Sequence, residues 1–183
     1  MRLFFCVELG PQVRRALAEA EDQLRVHLSG PAKWVDPANL HLTVRFVGEV
    51  GEELAPALQE CGSGVAAGGQ PFSLSLTRLG AFPRPDRARV VWAGADEDSP
   101  LFADLARRTE AAVQASGVPP ERRQATAHVT LARLRRPQDV AGALAEVQLR
   151  PVTVEVTTLT LMESKLRPQG PIYTPVARWR LGG

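Results

Sequence analysis

A histidine followed two positions later by a threonine occurs twice in this chain, as His41-Leu42-Thr43-Val44 and as His128-Val129-Thr130-Leu131. Only three histidines are present. With ten threonines in 183 residues, two such coincidences have a chance on the order of one in a hundred. An imidazole titrates at about pH 6.5, so at neutral pH a pair can hold one neutral base and one protonated acid at small cost. Such a pair suits in-line displacement at phosphorus. One imidazole takes a proton from the attacking water while the other gives a proton to the departing sugar oxygen. The hydroxyls of Thr43 and Thr130 can donate to the non-bridging phosphate oxygens as charge builds there.

Other uses of the same residues are weaker. A zinc site wants about three to four ligands, and no Asp, Glu or Cys stands at ligand spacing beside either motif, so no metal and no cofactor is expected. Buried strand histidines bonded to backbone would explain one copy better than two in register. His27, near the end of a helical stretch, reads as a structural residue meeting the carbonyl end of the helix dipole. Cys6 and Cys61 show neither metal spacing nor a disulfide framework and are expected as free thiols in a reducing cytoplasm.

Elements must bring the two motifs together. Each lies in a β-favouring run, Leu40 to Val47 and Ala127 to Leu134, where period two puts His and Thr on one face and the apolar pair on the other. Leu3 to Leu9 reads as a strand. Val13, Leu17, Leu24 and Leu28 follow helical spacing from Gly10-Pro11 to about His27. A second helix over about Glu52 to Ala66 leads to an alternating strand at Phe72 to Thr77. The pattern then restarts: a strand at Ala88 to Ala93, a helix at Pro100 to Ser116, the second motif, a helix at about Gln138 to Val147, and strands at Val152 to Met162 and Ile172 to Leu181. The histidines are 87 positions apart (128 minus 41), and Leu3 aligns with Val90 at that offset. The expected architecture is α+β: one domain of two interleaved lobes, repeats of about 2–80 and 88–181, related by a pseudo-twofold axis. Each lobe is a mainly antiparallel sheet with outer helices, and the cleft between lobes holds both histidines.

Composition bounds the rest. Hydrophobic residues make up 44%, enough for an ordinary core, and the opening apolar run is too short for a signal segment. No stretch approaches the roughly 20 apolar residues of a membrane span; with free thiols the chain is expected in the cytoplasm, and as a monomer, since a pseudo-twofold chain needs no partner. The net charge of +2 does not by itself announce nucleic acid. Lys33 and Lys165 are nevertheless the only lysines among 22 basic residues, and a guanidinium grips phosphate with two parallel bonds. Arg45, four residues after His41, should share its face on an unbroken strand and could meet phosphate. Arg133, five after His128, should point away unless the strand bulges or ends. Phe5, Trp34, Trp92 and Tyr173 are candidates for stacking a base, with the core as the alternative. Arg84 to Arg89 and Arg133 to Arg136 form basic runs that suit an RNA backbone or plain solvent.

The paired His-Leu-Thr-Val and His-Val-Thr-Leu resemble the two HxTx motifs of the 2H phosphoesterase superfamily. Met1 to Phe4, Trp34-Val35, Asn39 to Glu49, His128 to Arg133, Glu163-Ser164 and Tyr173 are similar to the RNA 2′,3′-cyclic phosphodiesterase branch, also called the bacterial and archaeal 2′-5′ RNA ligases. The resemblance implies a metal-free enzyme that opens a 2′,3′-cyclic phosphate at an RNA end, such as a tRNA fragment, to a 2′-phosphate. His41 would be the proton donor and His128 the proton acceptor, with Thr43, Thr130, Arg45 and Arg133 on the substrate. With a 5′-hydroxyl RNA end in place of water, the same site would make a 2′-5′ linkage. The alternatives are a non-catalytic module that binds RNA ends and the same chemistry on a cyclic phosphate derived from ADP-ribose.

Overall fold

The computed structural model describes residues 1–95 and 99–183. Its first half runs β1 (Arg2–Glu8), α1 (Pro11–His27), β2 (Ala32–Trp34), β3 (His41–Glu49), α2 (Ala55–Ala67), β4 (Phe72–Leu76) and β5 (Arg78–Phe82). The second half runs β6 (Ala88–Gly94), α3 (Pro100–Ala115), β7 (His128–Gln138), α4 (Ala141–Glu146), β8 (Val152–Val156) and β9 (Thr158–Lys165), and β10 (Ile172–Arg180) follows. Two four-stranded antiparallel sheets, ordered β10-β9-β1-β3 and β2-β7-β6-β5, are bridged by the pair β4-β8.

The halves exchange strands. A single residue, Thr77, separates β4 from β5, and Thr157 separates β8 from β9. Each pair is therefore one long strand that bends after the β4–β8 crossing. β5 comes to rest beside β6, in the sheet of the second motif, and β9 beside β1, in the sheet of the first. The expected single strand at Val152 to Met162 is cut at that bend. The short β2 also crosses, with Trp34 opposite Ala132 of β7.

Local sequence explains most boundaries. α1 begins with Pro11, whose missing N–H costs nothing in the first turn, and buries Val13, Leu17, Ala20 and Leu24 on one face. Glu52–Leu54 forms a 3-10 turn, so the second helix starts three residues later than expected. α4 is shorter than expected at both ends. Gln138 still belongs to β7, and the Asp139 carboxylate accepts from the N–H of Ala141, the first residue of the helix, whose N-cap Val140 has no side chain that could do so. β1 is buried on both faces: Leu3, Phe5 and Val7 enter the main core, while Phe4 and Cys6 pack with Met162 and Tyr173 beneath the cleft.

Both motif strands carry the same irregularity. Between the pairs Cys6–Thr43 and Phe5–Arg45, Val44 has no partner; between Trp92–Thr130 and Val91–Ala132, Leu131 has none. Each is a bulge three residues after its histidine, and it reverses the alternation beyond that point. Register also shifts the repeat by one. Phe4 opposes Phe46 as Val90 opposes Arg133, so Val90 is the counterpart of Phe4 and not of Leu3.

Candidate active site

The pleat does in β3 and β7 what the alternation expects. Leu42, Val44, Val129 and Leu131 are buried, while His41, Thr43, His128 and Thr130 are half-buried and face a cleft of about 900 Å³. Asp36 caps a 3-10 turn at Pro37–Asn39 by accepting from the Ala38 N–H, and that turn delivers His41 to the start of β3. The Asn39 amide donates to the Pro171 carbonyl at 3.0 Å and so ties the segment between β9 and β10 to the same corner.

Each ring is held by its Nδ1. In His41 the Nδ1–H donates to the Asn39 carbonyl at 2.7 Å, which leaves Nε2, 3.0 Å from the Thr43 hydroxyl, as the atom that gains or gives up a proton. In His128 the Nδ1 lies 2.7 Å from the Thr126 hydroxyl and 3.1 Å from the Thr126 carbonyl. Aromatic rings set the orientation. Phe4 lies 4.9 Å from His41 and the edge of Tyr173 5.4 Å from it; Phe82 stands 5.1 Å from His128, and Trp92 lies 6.3 Å away beneath it.

The same surroundings change proton affinity. Burial pushes His41 below the ordinary imidazole value against the upward pull of the Asn39 carbonyl, and the charges of Arg133 and His128 push it further down. His128 is lowered by burial and by Arg133, against the pull of the Thr126 carbonyl. Arg133 and the opposite imidazole thus act on His41 across one space.

The two arginines fall contrary to parity. The bulge at Val44 turns Arg45 out of the cleft: the residue is 6% exposed, its Nε–H donates to the Glu110 carboxylate, and its other nitrogens donate to the Phe46 and Pro119 carbonyls. The expectation that Arg45 shares a face with His41 fails there. The bulge at Leu131 does the converse for Arg133, which is exposed and lines the cleft with both motifs. Phe46, the positional counterpart of Arg133, also faces the cleft, and the Arg2 guanidinium lies 5.1 Å from its ring.

Of the aromatic candidates, Trp34 and Tyr173 line the cleft, Phe5 is buried in the core, and Trp92 is buried under His128. His27 is exposed in the last turn of α1. Thr126 and Phe82 had no role in the sequence reading, and Asn39 and Phe4 entered it only within the stretches of family resemblance. Asn39 and Thr126 each stand two residues before a motif histidine, the one signal that could have singled them out. Among the described residues, no three His, Cys, Asp or Glu side chains gather closely enough to hold a metal ion, and no helix is long and apolar enough to cross a membrane.

The geometry has counterparts in known proteins. A family model for LigT-like phosphoesterases matches residues 7–92 and again 95–173, one motif in each segment. An RNA 2′,3′-cyclic phosphodiesterase of Methanothermobacter thermautotrophicus is 33% identical over 185 residues, 99% of each chain. Another of that name from Thermus thermophilus is 34% identical, covering 100% of this chain and 91% of its own. Among solved structures, the Thermus thermophilus protein TT0787 superposes with a TM-score of 0.80 at 34% identity, covering 100% of this chain and 99% of its own. Escherichia coli LigT complexed with 3′-AMP superposes at 0.79 and 28% identity, covering 100% and 98%.

Proposed function

The chain belongs to the LigT-like phosphoesterase family, and from that membership we propose that it hydrolyses the 2′,3′-cyclic phosphate at an RNA end to a 2′-phosphate. The observation that carries this reading is the convergence of two Nδ1-anchored imidazoles, each with a threonine hydroxyl two residues on, upon one cleft. His128 accepts the proton of the attacking water and His41 protonates the departing 3′ oxygen. Thr43 and Thr130 donate to the non-bridging oxygens, and Arg133 supplies the positive charge that the developing phosphorane attracts. Two imidazoles cover both proton transfers, so the scheme needs no metal.

Arg45 has no place in it, because its guanidinium is already engaged with Glu110 and two carbonyls. When an RNA 5′-hydroxyl replaces water, the same two proton transfers join it to the 2′-phosphate as the bond to O3′ breaks, a 2′-5′ linkage. The same reading takes the chain as one monomeric cytoplasmic domain of two interleaved repeats, about 2–80 and 88–181. The paired bulges at Val44 and Leu131 support the repeat.

The test is the product. With EDTA present, a nucleoside 2′,3′-cyclic phosphate should yield only the 2′-phosphate, as read by phosphorus NMR. A 3′-phosphate, or turnover that EDTA abolishes, contradicts the scheme. Tight RNA binding without turnover would favour a module that only holds RNA ends.

A further inference from the structure

The two halves are alike at the motifs and unlike just beyond them. Phe4 opposes Phe46 as Val90 opposes Arg133, so Gly48 and Glu49 of β3 stand where β7 has Arg135 and Arg136 (135 minus 87 and 136 minus 87). Leu3, buried in the core, stands where β6 has Arg89. At that end of the first half the Glu49 carboxylate lies 3.9 Å from the Met1 ammonium, and the Arg2 guanidinium covers the Phe46 ring. The second half instead carries three arginines at one corner of its sheet. Two imidazoles in near-equivalent surroundings give a bound polymer no preferred side; this difference in charge does.

The corner is continuous with the cleft. Arg133 lines the cleft, Leu134 turns into the core, and Arg135 returns to the outer face about 7 Å further along the strand. Between the pairs Val90–Arg133 and Ala88–Gln138, Arg89 alone faces residues 134–137 of β7, so that stretch bulges, and Arg89, Arg135 and Arg136 are all exposed. Lys33, directly opposite Arg133 on β2, adds a cation at the mouth of the cleft. Among the described residues, Lys33, Arg89, Arg135 and Arg136 have no ion-pair partner. The neighbouring carboxylates are engaged: Asp86 lies 2.8 Å from the Arg84 guanidinium, and Asp139 accepts from the Ala141 N–H. What is left over at this corner is positive charge at the spacing of a strand.

We propose that Arg89, Arg135 and Arg136 form a docking surface for the body of the substrate strand, which makes the protein selective for the end of a polynucleotide over a free nucleoside cyclic phosphate. The proposal rests on the preceding reading, in which the cyclic phosphate is held in the cleft before Arg133. The linking phosphates of the same strand, on the 5′ side of the reacting ribose, then lie against the three guanidinium groups. Each guanidinium can grip non-bridging oxygens with two parallel bonds, and contacts of that kind hold a backbone in place without reading its bases. Their contribution comes with release of counterions from the strand, so it weakens as salt rises.

The experiment compares two substrates with the full chain, a nucleoside 2′,3′-cyclic phosphate and an unstructured short oligoribonucleotide ending in the same group. For wild type at low salt, kcat/KM should be at least about tenfold higher for the oligonucleotide, chiefly through KM. In the triple variant Arg89→Gln/Arg135→Gln/Arg136→Gln that advantage should shrink to within about twofold, and the logarithmic salt dependence should lose a slope of about 2, three charges at roughly 0.7 each. Hydrolysis of the nucleoside cyclic phosphate should stay within about twofold, which also shows that the variant is folded. Lysine at the same three positions should keep most of the advantage. Arg15→Gln/Arg150→Gln/Arg180→Gln, which removes equal charge from other exposed positions, should leave the advantage in place. A wild type with no preference for the oligonucleotide, a triple variant that keeps the preference, or an equal loss in the second triple variant overturns the proposal while leaving hydrolysis intact. Failure of wild type to hydrolyse either substrate instead removes the reading beneath it.

Discussion

Burial holds both motif imidazoles below their ordinary proton affinity, and the Arg133 guanidinium lowers each of them further. Activity in the proposed scheme needs one imidazole protonated and one neutral, so two lowered values move the bell of kcat/KM toward acid. Arg133→Gln should move that bell back toward alkaline pH while raising KM for the cyclic phosphate; a bell that stays in place removes Arg133 from the site's electrostatics. A carboxyl is shifted by the same cause in the opposite direction. Glu21 lies 1% exposed in α1 with its Oε1 unpartnered, and burial pushes its pKa from 4.5 to about 8, against the pull of Arg25. The folded chain keeps this proton when the unfolded chain has lost it, so the stability it confers is full below about pH 4.5 and is lost as pH rises through about 8. Glu21→Gln should flatten that loss, which is on the order of a few kcal/mol. Urea unfolding at pH 5 and pH 8 checks it, and parallel slopes for the two proteins would contradict it.

Two strands carry the motif residues, and how much of them could be read from residues depends on where along each strand one looks. From His41 to Val44 and from His128 to Leu131 strict alternation holds, because a core packs one face, and the sequence showed it. One residue later it fails. Val44 and Leu131 are ordinary β-formers with no glycine or proline beside them to announce a bulge, so Arg45 and Arg133 each lie on the face opposite to the one parity assigns. Arg45 instead clamps β3 to α3 and to Pro119, in the segment leading to the second motif. Arg45→Ala should cost about 1–3 kcal/mol by removing the guanidinium's bonds to Glu110 and to the Phe46 and Pro119 carbonyls. At a temperature where the variant is folded, its KM should be nearly unchanged, whereas a large rise in KM would restore Arg45 to the substrate. Gly80 supplies a parallel case on β5, since a Cβ there would come within 2.3 Å of the Trp92 ring that underlies His128. Gly80→Ala should lower kcat and cost about 1–3 kcal/mol through overpacking; unchanged kcat and melting temperature would contradict that support.

At the scale of the molecule, the repeat of elements was legible because helices and motif strands announce themselves locally, and the exchange between halves was not. Nothing in Phe72 to Phe82 or in Val152 to Lys165 says that each strand begins beside the other and ends in the opposite sheet; the β4–β8 pairs run from Phe72 with Val156 to Leu76 with Val152, and the β1–β9 pairs from Leu3 with Glu163 to Cys6 with Thr160, all remote in the chain. With β5, β9 and β2 each completing the other half's sheet, the halves should unfold together, giving one calorimetric transition whose enthalpy equals the van't Hoff value. Two resolved transitions would contradict the interleaving. The shared cleft makes a stronger demand, that His41 and His128 act on one phosphorus in one step. The direct measurement is kcat for hydrolysis of a nucleoside 2′,3′-cyclic phosphate by His41→Ala, His128→Ala and the double variant. Groups that act as a unit are non-additive, so each single variant should lose roughly 10²–10⁴ and the double variant little more than the worse of the two. Either single variant keeping near-full activity, or losses that multiply in the double variant, would contradict the account.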